Sequence, residues 1–393
     1  MPPRSVLLLT AAVGIVGSNS LVLGPIAGAV AGSFGDASAS EVMTAGAAYG
    51  LATALGALAL APQADRIGAA RVLVMALAAL LVGLTASALA PNVLALSAAQ
   101  GIAGLAAGVA LPACYGLAAR LAPPGEESRT LGVVLSGWTL CLVAGVSGSA
   151  LLAELAHWRV VFALLAVLAG ITLLALRRNA RTDAAWRDDG RSGVASTPLR
   201  ALRVPGIVPA LGVCGAFMIA FYGVYSWLGA HFVESLGRST ASAGLATLAY
   251  GIGFGLAVPL DALIDRHGRT RVAPFAFAAV TLVYLAMVPG ADSYPVLIAL
   301  CLLWGVANHI GLNLVVGRLT ALDASRRGAI LGLYSAVTYA AVFVATLTFR
   351  PVFDGHGLAA CAALAALCVL PALLDALHGR RERVQRERVR AAS

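Results

Sequence analysis

One apolar run of the 393-residue chain carries a cluster of polar side chains: Trp304, Asn308, His309 and Asn313. At helical spacing, Trp304 and Asn308 share one face, and His309 and Asn313 share the adjacent face. An unperturbed imidazole titrates at about pH 6.5, so His309 can carry a proton; equally, it can stay neutral and hydrogen-bond to a neighbouring helix. Asn19, in the first apolar run, can line a cavity or tie two helices together. Phe217, Phe221 and Tyr225 recur every four residues. Such a stripe suits apolar or ring-bearing ligands, with the Tyr hydroxyl orienting them, or else packing and lipid contact. Trp227, near the end of that run, reads as a membrane-interface anchor.

Carboxylates fall at the ends of the apolar runs: Asp36, Glu41, Glu154, Glu234, Asp292 and Asp354 at one set of ends, Asp65, Asp261, Asp265 and Asp375 at the other. With none in mid-run, a lipophilic cation is a poor ligand. A neutral, zwitterionic or anionic compound, or a broadly lipophilic one, fits better. Asp36 and Glu41 can take up protons from outside or serve as loop and helix-start charges. No carboxylate pair, metal cluster or nucleophile–base set stands at membrane depth, so an enzyme is not expected, nor a cofactor.

The elements that must position these residues follow from composition. Hydrophobic residues make up 60% of the chain and charged ones 11%, against roughly 25% charged in a soluble domain. The mean hydropathy is +0.89, and a soluble fold could not clothe its surface from this inventory. A bilayer is spanned by about 20 apolar residues. Twelve runs qualify, near 5–30, 42–61, 72–90, 93–117, 130–152, 160–176, 207–229, 241–260, 272–289, 296–317, 328–349 and 357–376. With both termini in the cytoplasm, all but three of the 27 basic residues (Arg159, Arg238, Arg350) fall on cytoplasmic segments, as the positive-inside rule requires. The net charge of +9 is thus a topology signal, and no nucleic-acid partner is needed to explain it. Every basic residue is Arg. The missing Lys excludes a Walker A nucleotide site and a Schiff-base cofactor. Energy therefore comes from an ion gradient, the substrate's own gradient or a partner. The six Cys lie inside apolar runs with no CxxC pair and read as small buried side chains.

A polar stretch rich in Arg separates runs six and seven. It gives a first half over residues 1–176, a cytoplasmic linker over 177–206, a second half over 207–377 and a basic tail over 378–393. The tail lies on the anionic leaflet or stays solvated. Ala64-Asp65-Arg66-Ile67-Gly68 returns two hundred residues later as Ile264-Asp265-Arg266-His267-Gly268. Ala48-Tyr49-Gly50 returns as Ala249-Tyr250-Gly251, and Arg120-Leu121 as Arg318-Leu319. A near-constant offset at three places marks a parallel six-helix repeat.

At these residues the chain resembles the major facilitator superfamily. Asp65-Arg66-Ile67-Gly68-Ala69-Ala70-Arg71 is similar to that superfamily's signature between helices two and three, and Asp265-Arg266-His267-Gly268-Arg269-Thr270-Arg271 is the closer copy. His157-Trp158-Arg159 followed by Phe162 resembles the start of helix six in the twelve-helix drug:proton antiporter and sugar-efflux branch. Two features depart from that branch. Ser97 stands where its helix-four motif has Arg before Gln100-Gly101, and Gly145-Val146 and Ser149-Ala150 replace the helix-five Gly-Pro and Gly-Gly pairs.

The resemblance implies an all-α polytopic membrane protein of twelve transmembrane helices in two pseudo-symmetric six-helix halves. It implies gating by Asp65, Arg66, Gly68, Arg71, Arg120, Arg129, Asp265, Arg266, Gly268 and Arg269, or a loop that only sets topology. It places spans one, four, seven and ten around a central cavity. That makes Asn19, Phe217, Phe221, Tyr225, Trp304, Asn308, His309 and Asn313 substrate-binding candidates, with Tyr115, Trp138, Tyr250 and Tyr334 of second rank. His309, Glu41 and Asp36 are the proton-coupling candidates. The implied function is export of a small organic compound (drug, toxic metabolite or sugar-like) across a bacterial inner membrane by alternating access. The expected partners are the substrate, protons and membrane lipids, around a monomer. Uptake or facilitated diffusion of a metabolite is the alternative, and a non-transporting membrane sensor a third possibility.

Overall fold

The structure, a computed structural model, describes residues 4–35, 37–63, 67–123, 126–182, 198–323 and 326–392; among these, the side chains of 127–129, 180–182, 265, 327 and 380–392 are not described. The described residues form helices with short connections and no strand. Span 1 is Arg4–Leu21, continued past Val22 by Leu23–Ala31. Span 2 is Ala39–Leu55, ending in a π-helical turn Gly56–Leu60 and a 3-10 turn Ala61–Gln63. Span 3 is Ala69–Ala88 and span 4 Val93–Leu121. Span 5 joins Glu127–Leu140 to Ser147–Leu155 through a π-helical turn Cys141–Val146. Span 6 is Trp158–Thr182, running on past Leu176, and a 3-10 turn Pro198–Arg203 precedes span 7, Ile207–Ala230 with a π-helical end His231–Ser235. Span 8 is Thr240–Leu256, bent at the 3-10 turn Val258–Leu260 and completed by Asp261–His267. Span 9 is Arg269–Gly290 and span 10 Tyr294–Leu322. The helical stretch Arg327–Ala392 divides at Gly357, whose φ of 71° reverses the chain between spans 11 and 12. Positive φ has no steric cost for Gly.

Consecutive spans run antiparallel. The termini and the even-numbered connections therefore share one end of the bundle, the terminal end, and the odd-numbered connections share the far end. At the far end, helix starts are capped by side chains: Ser38 accepts from Glu41 N–H, Asn92 from Ala95 N–H and Ser239 from Ser242 N–H. Large apolar side chains cover the outer faces, Met75, Leu94, Leu164, Ile171 and Phe275 among them. Such a surface belongs in hydrocarbon.

The sequence repeat returns as a packing repeat. Span 4 approaches span 2 so closely that a Cβ on Gly104 would collide with the Tyr49 carbonyl oxygen. Span 10 approaches span 8 the same way, with Gly305 against the Tyr250 carbonyl oxygen. Small residues permit this backbone approach, which is the main source of helix association where lipid already solvates apolar side chains. Trp227 departs from its expected interface position: it is fully buried and stacks on Phe353 at 5.2 Å.

Candidate functional site

The main polar and aromatic cluster forms where spans 7, 8, 9 and 10 meet. The Gly305 contact fixes span 8 against span 10 and brings Tyr250 beside Asn308, whose Nδ2 donates to the Tyr250 hydroxyl at 3.2 Å. Phe221 of span 7 packs against both spans here. Its ring stacks on Tyr225 at 5.3 Å and lies 5.5 Å from Tyr250 and 5.3 Å from Trp304. Tyr284 of span 9 closes the group, 5.7 Å from Trp304. Five sequence candidates (Phe221, Tyr225, Tyr250, Trp304 and Asn308) are thus one cluster, and Tyr284 is an addition the sequence did not single out. Asn308 is buried with no hydrogen-bond partner for Oδ1.

His309 faces the other way. Its Nε2 lies 3.2 Å from both carboxylate oxygens of Asp261, and Phe254 meets the ring edge-on at 4.7 Å. In the sequence Asp261 is only a charge at the end of an apolar run. The 3-10 turn Val258–Leu260 places it at the first position of the following helix, and span 8 carries it to span 10. No spacing within one span reveals a contact made between two. A third of the Asp261 side chain is exposed, whereas His309 is mostly covered, and His309 Nδ1 is buried without a partner. The neutral tautomer with its proton on Nε2 satisfies the Asp261 contact and leaves only a bare lone pair on Nδ1. An imidazolium would bury an unpaired N–H there.

Other candidates hold the helices together. Asn19 and Gln100 exchange amide hydrogen bonds at 3.1 and 3.3 Å, and Gln100 also donates to Ser87 at 3.0 Å. All three are buried, which ties spans 1, 3 and 4. Trp138 Nε1 donates to the Tyr115 hydroxyl at 3.0 Å, and its ring covers Gly17. Phe217 leaves the stripe and meets Phe277 at 6.0 Å. Asn313 and Tyr334 are partly buried on spans 10 and 11. Glu41 is engaged with Ser38 in a capping box.

At the terminal end, Gly68 and Gly268 hold matching positive φ values of 92° and 81° just before spans 3 and 9. Arg269 donates to the Gly317 carbonyl at 2.7 Å, Arg318 pairs with Asp375, and Arg266 is exposed. Arg71 and Arg120 are exposed at the start of span 3 and the end of span 4. Asp36, Asp65 and Arg66 lie outside the described residues, as do the side chains of Arg129 and Asp265.

At the far end, Trp158 donates to Ser33 at 2.9 Å. Arg159 donates to the Ala90 carbonyl at 2.7 Å and packs on the Trp158 ring at 4.6 Å. Gly145 of span 5 lies against Ser18 of span 1, so a small residue is needed there. A 760 Å³ groove opens between spans 1, 5 and 6, lined by Leu8, Thr10, Leu140, Leu152, Leu165 and Leu168 among others. Its hydroxyls bond to helix carbonyls, as Thr10, Ser18 and Thr172 show, and none of the clustered polar candidates lies in it.

The profile described as Major Facilitator Superfamily matches residues 7–346. The chain belongs to this superfamily. An uncharacterized MFS-type transporter, YwfA of Bacillus subtilis (strain 168), is 29% identical over 369 residues, covering 92% of this chain and 89% of that one. Among solved structures, a D-xylose-proton symporter is similar at a TM-score of 0.74 and 17% identity, covering 95% and 96% of the two chains. The xylose transporter XylE from E. coli, in a partially occluded inward open conformation, is similar at 0.72 and 15%, covering 94% and 95%. The protein is thus a multi-pass membrane transporter of the Major Facilitator Superfamily fold, not an enzyme.

Proposed function

We propose that this superfamily member is a proton-coupled carrier of a small uncharged or zwitterionic organic compound bearing a ring. In this reading the first six and last six spans rock about the cluster at Phe221, Tyr250, Trp304 and Asn308, with export across a bacterial inner membrane. The observation that carries the reading is the His309–Asp261 pair. It sets an imidazole against a carboxylate at the edge of an aromatic cluster that holds an unpaired amide oxygen. A ring stacks on such aromatic faces, and a substrate hydroxyl or amine can donate to Asn308 Oδ1. In this reading the pair takes up a proton in one state of the bundle and releases it in the other. Proton occupancy thereby follows conformation, which alternating access requires.

Export is supported by the Trp158–Arg159 element, while the departures at Ser97, Gly145-Val146 and Ser149-Ala150 count against strict proton antiport. The second reading is uptake by symport, favoured by the likeness to one solved structure, a D-xylose-proton symporter.

The test is accumulation of a compound panel, xylose included, in cells lacking their major pumps, with and without a protonophore. Wild type, Asp261→Asn and His309→Ala are compared. Lowered accumulation that collapses with the protonophore and is absent in Asp261→Asn supports proton-driven export. Raised accumulation replaces export with uptake. A protonophore-insensitive flux retained by Asp261→Asn removes the pair from coupling.

A further inference from the structure

Two carboxylates cross between the first six and the last six spans at the far end. Glu154, in the last turn of span 5, accepts from the Ala241 N–H at 2.6 Å. Ala241 is the second residue of span 8, whose Ser239 cap takes the Ser242 N–H. Glu154 therefore satisfies a first-turn donor that the local cap leaves over. The converse contact runs the other way. Glu234, in the π-helical end of span 7, lies beside the N–H of Ala39, the first residue of span 2. There the Ser38 cap takes the Glu41 N–H. Ser38-Ala39 and Ser239-Thr240 stand at the same places in the two repeats.

A carboxylate at a helix N-terminus gains both a charge-assisted hydrogen bond and the helix dipole. Such caps are ordinarily local. Here each carboxylate comes from the opposite six-span unit, Glu154 as a hydrogen-bonded cap and Glu234 through the helix dipole, so each acts only while the far end is closed. The wall they border is tight: Gly229 of span 7 sits against the Gly24 carbonyl of span 1, and Gly244 of span 8 against Ala150 of span 5.

We infer that Glu154 and Glu234 are a crossed pair of latches that hold the far end shut when ionised and release it when protonated. The transport cycle is thereby tied to acidity on that side. The inference rests on reading the chain as an alternating-access carrier, but not on the His309–Asp261 pair. The other charged groups at the latches have engagements of their own. Around Glu234, Asp354 pairs with Arg350 at 3.5 Å, His231 donates to the Ala291 carbonyl at 2.8 Å, and Glu41 is held by Ser38. Around Glu154, His157 lies at the start of span 6, Arg159 is bound to Ala90, and Arg238 packs over Tyr294 at 4.9 Å.

The test uses the full chain in lipid nanodiscs, with its native Cys replaced and spin labels at the exposed far-end positions Leu89 and Asp292. Distances are recorded from pH 8 to pH 4. Wild type should hold a short distance at pH 8 and shift to a longer one on acidification. Glu154→Gln with Glu234→Gln should show the long distance at pH 8, with its population at least fivefold above wild type and little further pH response. Glu154→Asp, which keeps the charge, should stay closed at pH 8. Ser239→Ala weakens the same helix start without touching the crossing contact, so it should lower the melting temperature and leave the pH profile alone. A double Gln variant with the wild-type distances and pH profile overturns the inference. So does a wild type that ignores pH, or a Ser239→Ala variant that opens as far as the Gln variant. Asp261→Asn should keep the far-end profile while losing proton-driven flux, which separates failure of the latch from failure of the coupling pair.

Discussion

At the scale of single residues, burial decides what each polar group does. Asn19, Gln100 and Ser87 form a closed set of hydrogen bonds. Interhelical bonds in membrane proteins contribute about 0.6 kcal/mol on average and up to about 1.7, and an orphaned buried amide costs about 1–3 kcal/mol. Asn19→Ala should therefore lower stability by about 1–3 kcal/mol, read as a thermal shift in detergent, with substrate affinity nearly unchanged. A large loss of affinity without a thermal shift would return Asn19 to the cavity lining. Tyr250→Phe removes the partner of Asn308 Nδ2, leaves the ring cluster intact, and should weaken binding of a ring-bearing substrate by several-fold without unfolding the protein. His309 was visible in the sequence because a titratable side chain stands out within an apolar run. Its partner was not, because Asp261 looks like an ordinary span-end charge until span 8 is packed on span 10. Gln100 was likewise visible only as part of a pair with Gly101; that it answers Asn19 is a fact about two helices.

At the scale of elements, the spans themselves were legible because a bilayer demands long apolar runs and the repeat fixes their order. Their irregularities were not. The π-helical turns at Gly56–Leu60 and Cys141–Val146 leave no composition signal, since their residues are as apolar as their neighbours. Close packing, by contrast, has a sequence trace in small residues whose meaning depends on facing. Gly101 and Gly104 both lie on span 4, yet a Cβ on Gly101 meets nothing within 4 Å, whereas one on Gly104 meets the span 2 backbone. Gly101→Ala should therefore be neutral or raise stability by about 0.5–1 kcal/mol through lower chain entropy. Gly104→Ala should lower it by about 1–3 kcal/mol through overpacking. The same pair of thermal melts tests the repeat, because Gly305→Ala should behave like Gly104→Ala.

At the scale of the whole molecule, the far end is where the two six-span units meet and where Arg is scarce. The three Arg expected there are each held by a specific contact. Arg159 binds the Ala90 carbonyl and packs on Trp158, Arg238 packs over Tyr294, and Arg350 pairs with Asp354. The wall between the units depends on backbone approach. A Cβ on Gly229 would collide with the Gly24 carbonyl and lie 2.6 Å from the Pro25 Cα, and backbone cannot yield as a flexible side chain does. Gly229→Val places three carbons in that seam. Each unit keeps its own packing, so the protein should fold, but the far end cannot close. Transport should fall by at least tenfold while the melting temperature drops only modestly, and far-end label distances should stay long at every pH, including pH 8. Transport at the wild-type rate would mean that the seam between spans 1 and 7 need not shut during the cycle, and that the closed wall is incidental to alternation.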